Sequence, residues 1–177
     1  ADDSIQRAFS GVCELSFIAS GGFKGVYKAR INGVLEALKL INVPEVSPAD
    51  TEAVQMRDEL VKRVEREIEI LRKCQSPAIV KLGSLSPCGQ DIEGKKFIAY
   101  SEEFLDGKDL WALLRNANTP NPTEAELKSL LKALLEAIKE LWQYGIIHRD
   151  IKPGNIIKTA NIIVFIALHK KMQTQFR

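Results

Sequence analysis

The stretch Ile147-His148-Arg149-Asp150-Ile151-Lys152-Pro153-Gly154-Asn155 decides how this chain is read. An aspartate, a lysine two residues on and an asparagine five residues on bring three functions into one tight loop. They are a proton acceptor, a cation suited to phosphate, and an oxygen ligand suited to a metal. Each residue type is ordinary on a surface, but a chance loop does not set all three at these spacings.

The loop follows a long amphipathic segment. Leu127, Leu130, Leu131, Leu134, Leu135, Ile138, Leu141 and Trp142 recur at helical spacing and make a wide apolar stripe. Thr123 and Glu126 form a T-x-x-E capping box at its start, and Gly145 supplies the stop. A core helix is predicted there.

Further out, the first hundred residues read as sheet with one helix. Residues 12–18, 26–31 and 34–40 have strand character, and Asn32-Gly33 joins the last two as a hairpin turn whose residues must tolerate positive φ. Pro44 and Pro48 mark a loop over 42–50. Leu60, Val64, Ile68 and Leu71 then share one face of a helix that Ser76-Pro77 ends. Runs at 79–85 and 97–100 suggest two more strands around a turn-rich segment at 87–94.

Three features in this half bear on chemistry, and each is weak alone. Ile18-Ala19-Ser20-Gly21-Gly22-Phe23-Lys24-Gly25-Val26 sets glycines between two strands, where backbone N–H groups can approach a phosphate without a Cβ in the way. A plain glycine-rich turn is the simpler alternative. Lys39 lies between apolar neighbours on a half-buried strand and needs a counter-charge or an anionic ligand, unless it is a solvated edge lysine. Glu67 adjoins Ile68 on the inward helix face and is within reach of Lys39, though most helical glutamates are simply solvated.

Composition narrows the classes. Of 177 residues, 45% are hydrophobic and 27% charged, enough to bury a core. The +2 net charge, from 25 basic against 23 acidic residues, argues against a dedicated nucleic-acid binder. Cys13, Cys74 and Cys88 are widely spaced without a C-x-x-C pair, which fits reduced thiols. No signal peptide is expected from the polar residues 1–7, and no run is long enough to span a bilayer. A soluble intracellular protein, cytoplasmic by preference, is the expectation.

In their order, these motifs resemble the eukaryotic-type protein kinases of Ser/Thr type, over residues 12–155. The resemblance implies an α+β fold: a five-stranded antiparallel small lobe with one key helix (residues 1–104), then a partial, mainly helical large lobe (105–177). It implies ATP and Mg²⁺ as cofactors and a protein Ser/Thr hydroxyl as substrate, with a regulatory protein as a further partner. By the same resemblance Ile18, Gly21, Gly22, Gly25 and Val26 cover the phosphates. Ala37 stacks on adenine, Lys39 contacts the α- and β-phosphates, and Glu67 is its helix partner. Backbone groups of Glu103 and Leu105 bond the adenine edge and Asp109 faces the ribose. Asp150 takes the hydroxyl proton, Lys152 the γ-phosphate and Asn155 the metal.

The departures are as specific as the matches. Ala19 and Lys24 stand where the glycine loop has its first and third glycines. Glu102 occupies a position at the back of the adenine pocket that is usually apolar, a place for a carboxylate only if it points away or pairs with Lys39. Beyond Asn155 the sequence has no Asp or Glu, and Ala167-Leu168-His169 falls where the family carries Asp-Phe-Gly. A shortened or spliced product, a pseudokinase, and a sequence lacking residues after Asn155 each account for this. The abrupt change in composition favours the first and third. The long helix is expected to keep part of its apolar stripe uncovered. The function expected by family is ATP-dependent phosphoryl transfer to protein hydroxyls, impaired in this chain; a nucleotide-binding pseudokinase or scaffold is the alternative.

Overall fold

The computed structural model describes residues 2–160, 163–165 and 173–174. The chain divides into two compact units, residues 1–69 with 81–104, and residues 70–80 with 105–177.

The first unit is built on a five-stranded antiparallel sheet, β1 (Val12–Gly21), β2 (Lys24–Ile31), β3 (Val34–Val43), β4 (Cys88–Ile92) and β5 (Lys95–Glu103), in the order β1-β2-β3-β5-β4. Two tight turns fix its register. Asn32 and Gly33 both have positive φ, as do Glu93 and Gly94, which joins β4 to β5 through the Ile92–Lys95 pair. Such turns match the right-handed twist of the strands they connect.

The alternation along β3 turns Leu38 and Leu40 into a core with Ala29, Ile31, Ile92 and Ala99. A short helix, α1 (Asp2–Ala8), covers this core with Ile5, joined by Phe9 just after it. It is an addition to the elements expected from sequence. The key helix, α2 (Thr51–Lys73), starts where the Asp50 carboxylate accepts a hydrogen bond from the Ala53 N–H at 3.0 Å. Val64, Glu67, Ile68, Ile70 and Leu71 are its buried positions. The predicted face is therefore present, with a carboxylate in it.

One strand expectation is corrected. Residues 79–85 form no strand; the remaining strand is β4, inside the segment read as turns. Residues 81–85 do run beside β5, with the Gly83 N–H donating to the Ser101 carbonyl (2.8 Å) and the Glu103 N–H to the Lys81 carbonyl (3.0 Å). Pro87 has no N–H to continue a ladder, so regular pairing on that edge resumes only at Cys88.

The second unit holds α3 (Leu110–Arg115) and the long α4 (Glu124–Gln143). It also has a three-stranded sheet of β6 (Gly107–Asp109), β8 (Ile156–Thr159) and β9 (Ile163–Phe165), and a pair of β7 (Ile146–Ile147) with β10 (Gln173–Thr174). The capping box is formed as expected: the Glu126 N–H donates to Thr123 Oγ1 (3.2 Å) and the Thr123 N–H to Glu126 Oε2 (2.9 Å). After Tyr144, Gly145 adopts φ 68° and its N–H donates to the Trp142 carbonyl. The Glu140 carboxylate accepts from the Gln75 and Ser76 N–H groups at 2.5 and 2.8 Å, tying the chain after α2 to α4.

The α4 stripe is only partly covered. Ala137 and Leu141 are buried, whereas Leu131, Leu135 and Trp142 are 58%, 67% and 71% exposed. Cys13, Cys74 and Cys88 are free thiols. Among the described residues no helix is long and apolar enough to cross a membrane.

Candidate nucleotide and catalytic-loop sites

In the first unit the glycine-rich hairpin closes through Gly22 and Phe23, with Gly21 opposite Lys24. Gly22 has φ 59°, and a Cβ at Gly21 or Gly22 would meet nothing within 4 Å. The tip is therefore open to a ligand. Ile18 sits at an irregularity between the Phe17–Tyr27 and Ala19–Val26 pairs and is exposed; Val26 lies directly across from Lys39 on β3. Ala37 is half-buried and pairs with Glu102 on β5.

Lys39 is buried, as expected of a lysine that has to meet an anion. Its partner is Glu102, the pairing noted above as one option for that carboxylate, rather than Glu67. The Lys39 ammonium is paired with the Glu102 carboxylate, also buried, while Glu67 accepts from the Tyr100 hydroxyl at 3.0 Å and from Lys24 at 3.5 Å. The register explains the exchange. Lys39 pairs with Tyr100 and Ala37 with Glu102, so Lys39 and Glu102 are diagonal neighbours on one sheet face. Glu67 must instead reach across from α2.

Burial alone would lower the Lys39 ammonium, but the charges of Glu102 and Glu67 outweigh it and hold it above the ordinary lysine range. Lys24 lacks that balance. Its burial, with the positive charge of Lys39 beside it, brings it down to about 8 despite Glu67. Burial and the two carboxylates push the Tyr100 hydroxyl far up, so it stays a donor.

Lys24 and Tyr100 are the residues sequence reading left out of the site. The signal for Lys24 was its place where a glycine was expected. Tyr100 showed no signal beyond lying in an apolar run.

Glu103 ends β5, with its carboxylate on the Lys81 N–H at 2.9 Å and its own N–H on the Lys81 carbonyl. Leu105 is half-buried in the segment after β5. Asp109, in the second unit, caps α3: its Oδ1 accepts from the Ala112 N–H at 2.8 Å, leaving one carboxylate oxygen for another group.

The catalytic-loop residues come together as their spacing implied. Asn155, on a short 3₁₀ turn at Pro153–Asn155, donates its amide N–H to the Asp150 carbonyl (2.8 Å) and to Asp150 Oδ2 (3.0 Å). Lys152 reaches the same oxygen at 3.0 Å. Buried His148 accepts from the Asp150 N–H through Nδ1 at 3.2 Å, and Arg149 at φ 60° makes the sharp bend between them. Partial burial works to raise the Asp150 carboxyl. Hydrogen bonds from Lys152 and Asn155, with the charges of Lys152 and His148, outweigh it and hold the group below the ordinary carboxylate range. Asp150 is thus an anion near neutrality, oriented by three neighbours through Oδ2 and its backbone, with Oδ1 outside those contacts.

The described residues do not by themselves make a magnesium site. Asn155 keeps its amide oxygen, but no group of three His, Cys, Asp or Glu that could hold a metal occurs among the described residues. A hard cation of this kind asks for carboxylate and phosphate oxygens in octahedral array. Ile166, Ala167, Leu168 and His169, in and beside the place of the family's metal aspartate, lie outside the described residues.

The family model for the protein kinase domain matches residues 14–166. Relatives include a probable serine/threonine-protein kinase of Arabidopsis thaliana, 32% identical over 159 residues, which are 89% of this chain and 20% of the relative. The mitogen-activated protein kinase kinase 7 of the same plant is 31% identical over 160 residues, 89% of this chain and 46% of that protein. The serine/threonine-protein kinase cds1 of Schizosaccharomyces pombe is 32% identical over 147 residues, 80% and 28% of the two chains. Sheet, helix, catalytic loop and family match agree, and the chain belongs to the eukaryotic-type protein kinase family. It spans less than half the length of each of these relatives.

Proposed function

We propose that this chain carries the nucleotide-binding and base functions of an ATP-dependent protein kinase acting on Ser/Thr. In this reading Lys39 meets the α- and β-phosphates beside the glycine-rich hairpin. Ala37, with the backbone of Glu103 and Leu105, receives adenine, and Asp109 the ribose. The hydroxyl oxygen of a protein Ser or Thr attacks the γ-phosphorus, the bond to the ADP oxygen breaks, and Asp150 accepts the hydroxyl proton. Lys152, a residue of the Ser/Thr-type loop, steadies the transferred group.

The Asp150 arrangement is the observation that supports this most: an ionised carboxylate held by Asn155 and Lys152 through Oδ2, with Oδ1 outside those contacts. Magnesium is a cofactor of the family, and the Asn155 amide oxygen would be one of its ligands. A second reading, a nucleotide-binding regulator without transferase activity, is favoured by the Lys39–Glu102 pair and by the lack of any Asp or Glu after Asn155.

The test combines calorimetric ATP titration with a radiolabelled transfer assay on a generic Ser/Thr substrate, using the chain and Asp150→Asn. Binding with slow transfer, and loss of transfer but not of binding in Asp150→Asn, is expected. Ala167 in place of the family's metal aspartate removes one electrostatic stabiliser, an expected loss of roughly 3–4 kcal/mol, on the order of hundreds-fold in rate. Binding with no transfer at all establishes the second reading. Absence of binding at about 1 mM ATP, roughly 4 kcal/mol of affinity, overturns both.

A further inference from the structure

The buried cluster on the first unit's sheet contains two lysines and two carboxylates in an exchanged pairing: Lys39 with Glu102, and Lys24 with Glu67. All four are largely withdrawn from water. A buried ammonium without a partner is costly, so burial at Lys39 strongly favours an anion beside it. In this structure that anion is supplied by the protein itself.

We propose that Glu102 sets the nucleotide affinity of this chain by acting as an internal competitor, its carboxylate filling the anion position beside Lys39 that a phosphate has to take. This rests on the nucleotide reading of Lys39 given above. Three observations carry it. Glu102 lies diagonally across the β3–β5 ladder from Lys39, so the pair needs no movement of α2. The Tyr100 ring, 5.5 Å from the Lys39 ammonium, closes another side of it. Lys24 and the Tyr100 hydroxyl hydrogen-bond Glu67, so Glu67 has direct partners of its own while Lys39 is paired with Glu102. A phosphate arriving at Lys39 therefore has to displace Glu102 or share the ammonium with it, adding an anion to a cluster whose two carboxylates already match its two ammonium groups.

Adenosine lacks the phosphates and does not compete with a carboxylate. The effect is consequently specific for the charged part of the ligand, which separates competition from simple widening of the site.

The experiment titrates ADP and adenosine into the chain, Glu102→Gln, Glu102→Asp and the double variant Glu102→Gln/Lys39→Met, each checked for cooperative unfolding. Glu102→Gln is expected to bind ADP at least about tenfold tighter than the unmodified chain, the scale of one close charge pair. Adenosine affinity should stay unchanged, and the double variant should lose the gain. Glu102→Asp withdraws the carboxylate by one methylene and gains part of the effect; it decides the matter if Glu102→Gln does not fold. ADP affinity unchanged in a folded variant, or an equal gain for adenosine, overturns the competitor while leaving the nucleotide reading intact. No ADP binding by any folded form overturns both.

Discussion

Lys24 is the residue whose titration can be predicted most directly. Burial and the neighbouring Lys39 charge place it at about 8, below the ordinary 10.5. Between those values the unfolded chain binds the extra proton. The contribution of Lys24 to stability therefore rises with pH across that window and is flat, at its least favourable, below about 8. In NMR of chain labelled at the lysine side chains, one resonance is expected to titrate near pH 8 and to vanish in Lys24→Met. A spectrum in which every lysine titrates with the bulk would contradict the buried placement. The two candidate sites also differ in how legible they were. Asp150, Lys152 and Asn155 sit within one loop, so spacing along the chain already was spacing in space. For Lys39 the sequence offered both Glu67 and Glu102, and choosing between them depended on which strand lies beside β3 and in what register, which no local pattern reports.

Among elements, the segment before β4 shows how one close approach shapes an edge. A Cβ at Gly83 would stand 2.4 Å from Glu36 Oε2 and 2.5 Å from Ser101 Oγ, and both residues are buried. The Glu36 carboxylate is held there by the Ser84 N–H at 2.8 Å and Ser101 Oγ by the Leu85 N–H at 2.9 Å, so neither yields freely. Gly83→Ala is expected to cost about 1–3 kcal/mol by overpacking, read as a lower urea midpoint with an unchanged slope. An unchanged midpoint would mean the segment shifts without strain. The hairpin strands and the two main helices were legible because their turns, caps and periodic faces are written locally. β4 was not, because its CGQDI sequence is polar and its strand state comes from the Glu93-Gly94 turn and from β5 beside it. The second helix boundary was clearer: Lys158 and Thr123 hold the Glu126 carboxyl down to about 2, so this cap stays charged at any ordinary pH.

For the molecule as a whole, the exposed apolar stripe of α4 governs behaviour in solution. Leu131 and Leu135 lie exposed on α4 among Lys128, Lys132, Glu136 and Lys139, so leucine surface is bordered by long charged side chains. Exposed apolar surface of this kind favours association as concentration rises. Leu135→Lys is expected to reduce concentration-dependent association in sedimentation runs and to lower binding of an apolar dye, with little change in melting temperature. Melting that falls by several degrees instead would place Leu135 in a packed interior.

The order of strands in the five-stranded sheet also bears on how quickly the first unit folds. β1–β2, β2–β3 and β4–β5 close as neighbours through short turns, whereas β3–β5 joins Val43 to Lys96 across α2 and everything between. Closing that long loop is the entropically expensive search, and contacts of high sequence separation form slowly. Lys39 and Glu102 lie on this ladder. The charged cluster is thus completed at the slowest zippering event of the sheet, and a chain caught midway has its hairpins formed but no built anion site.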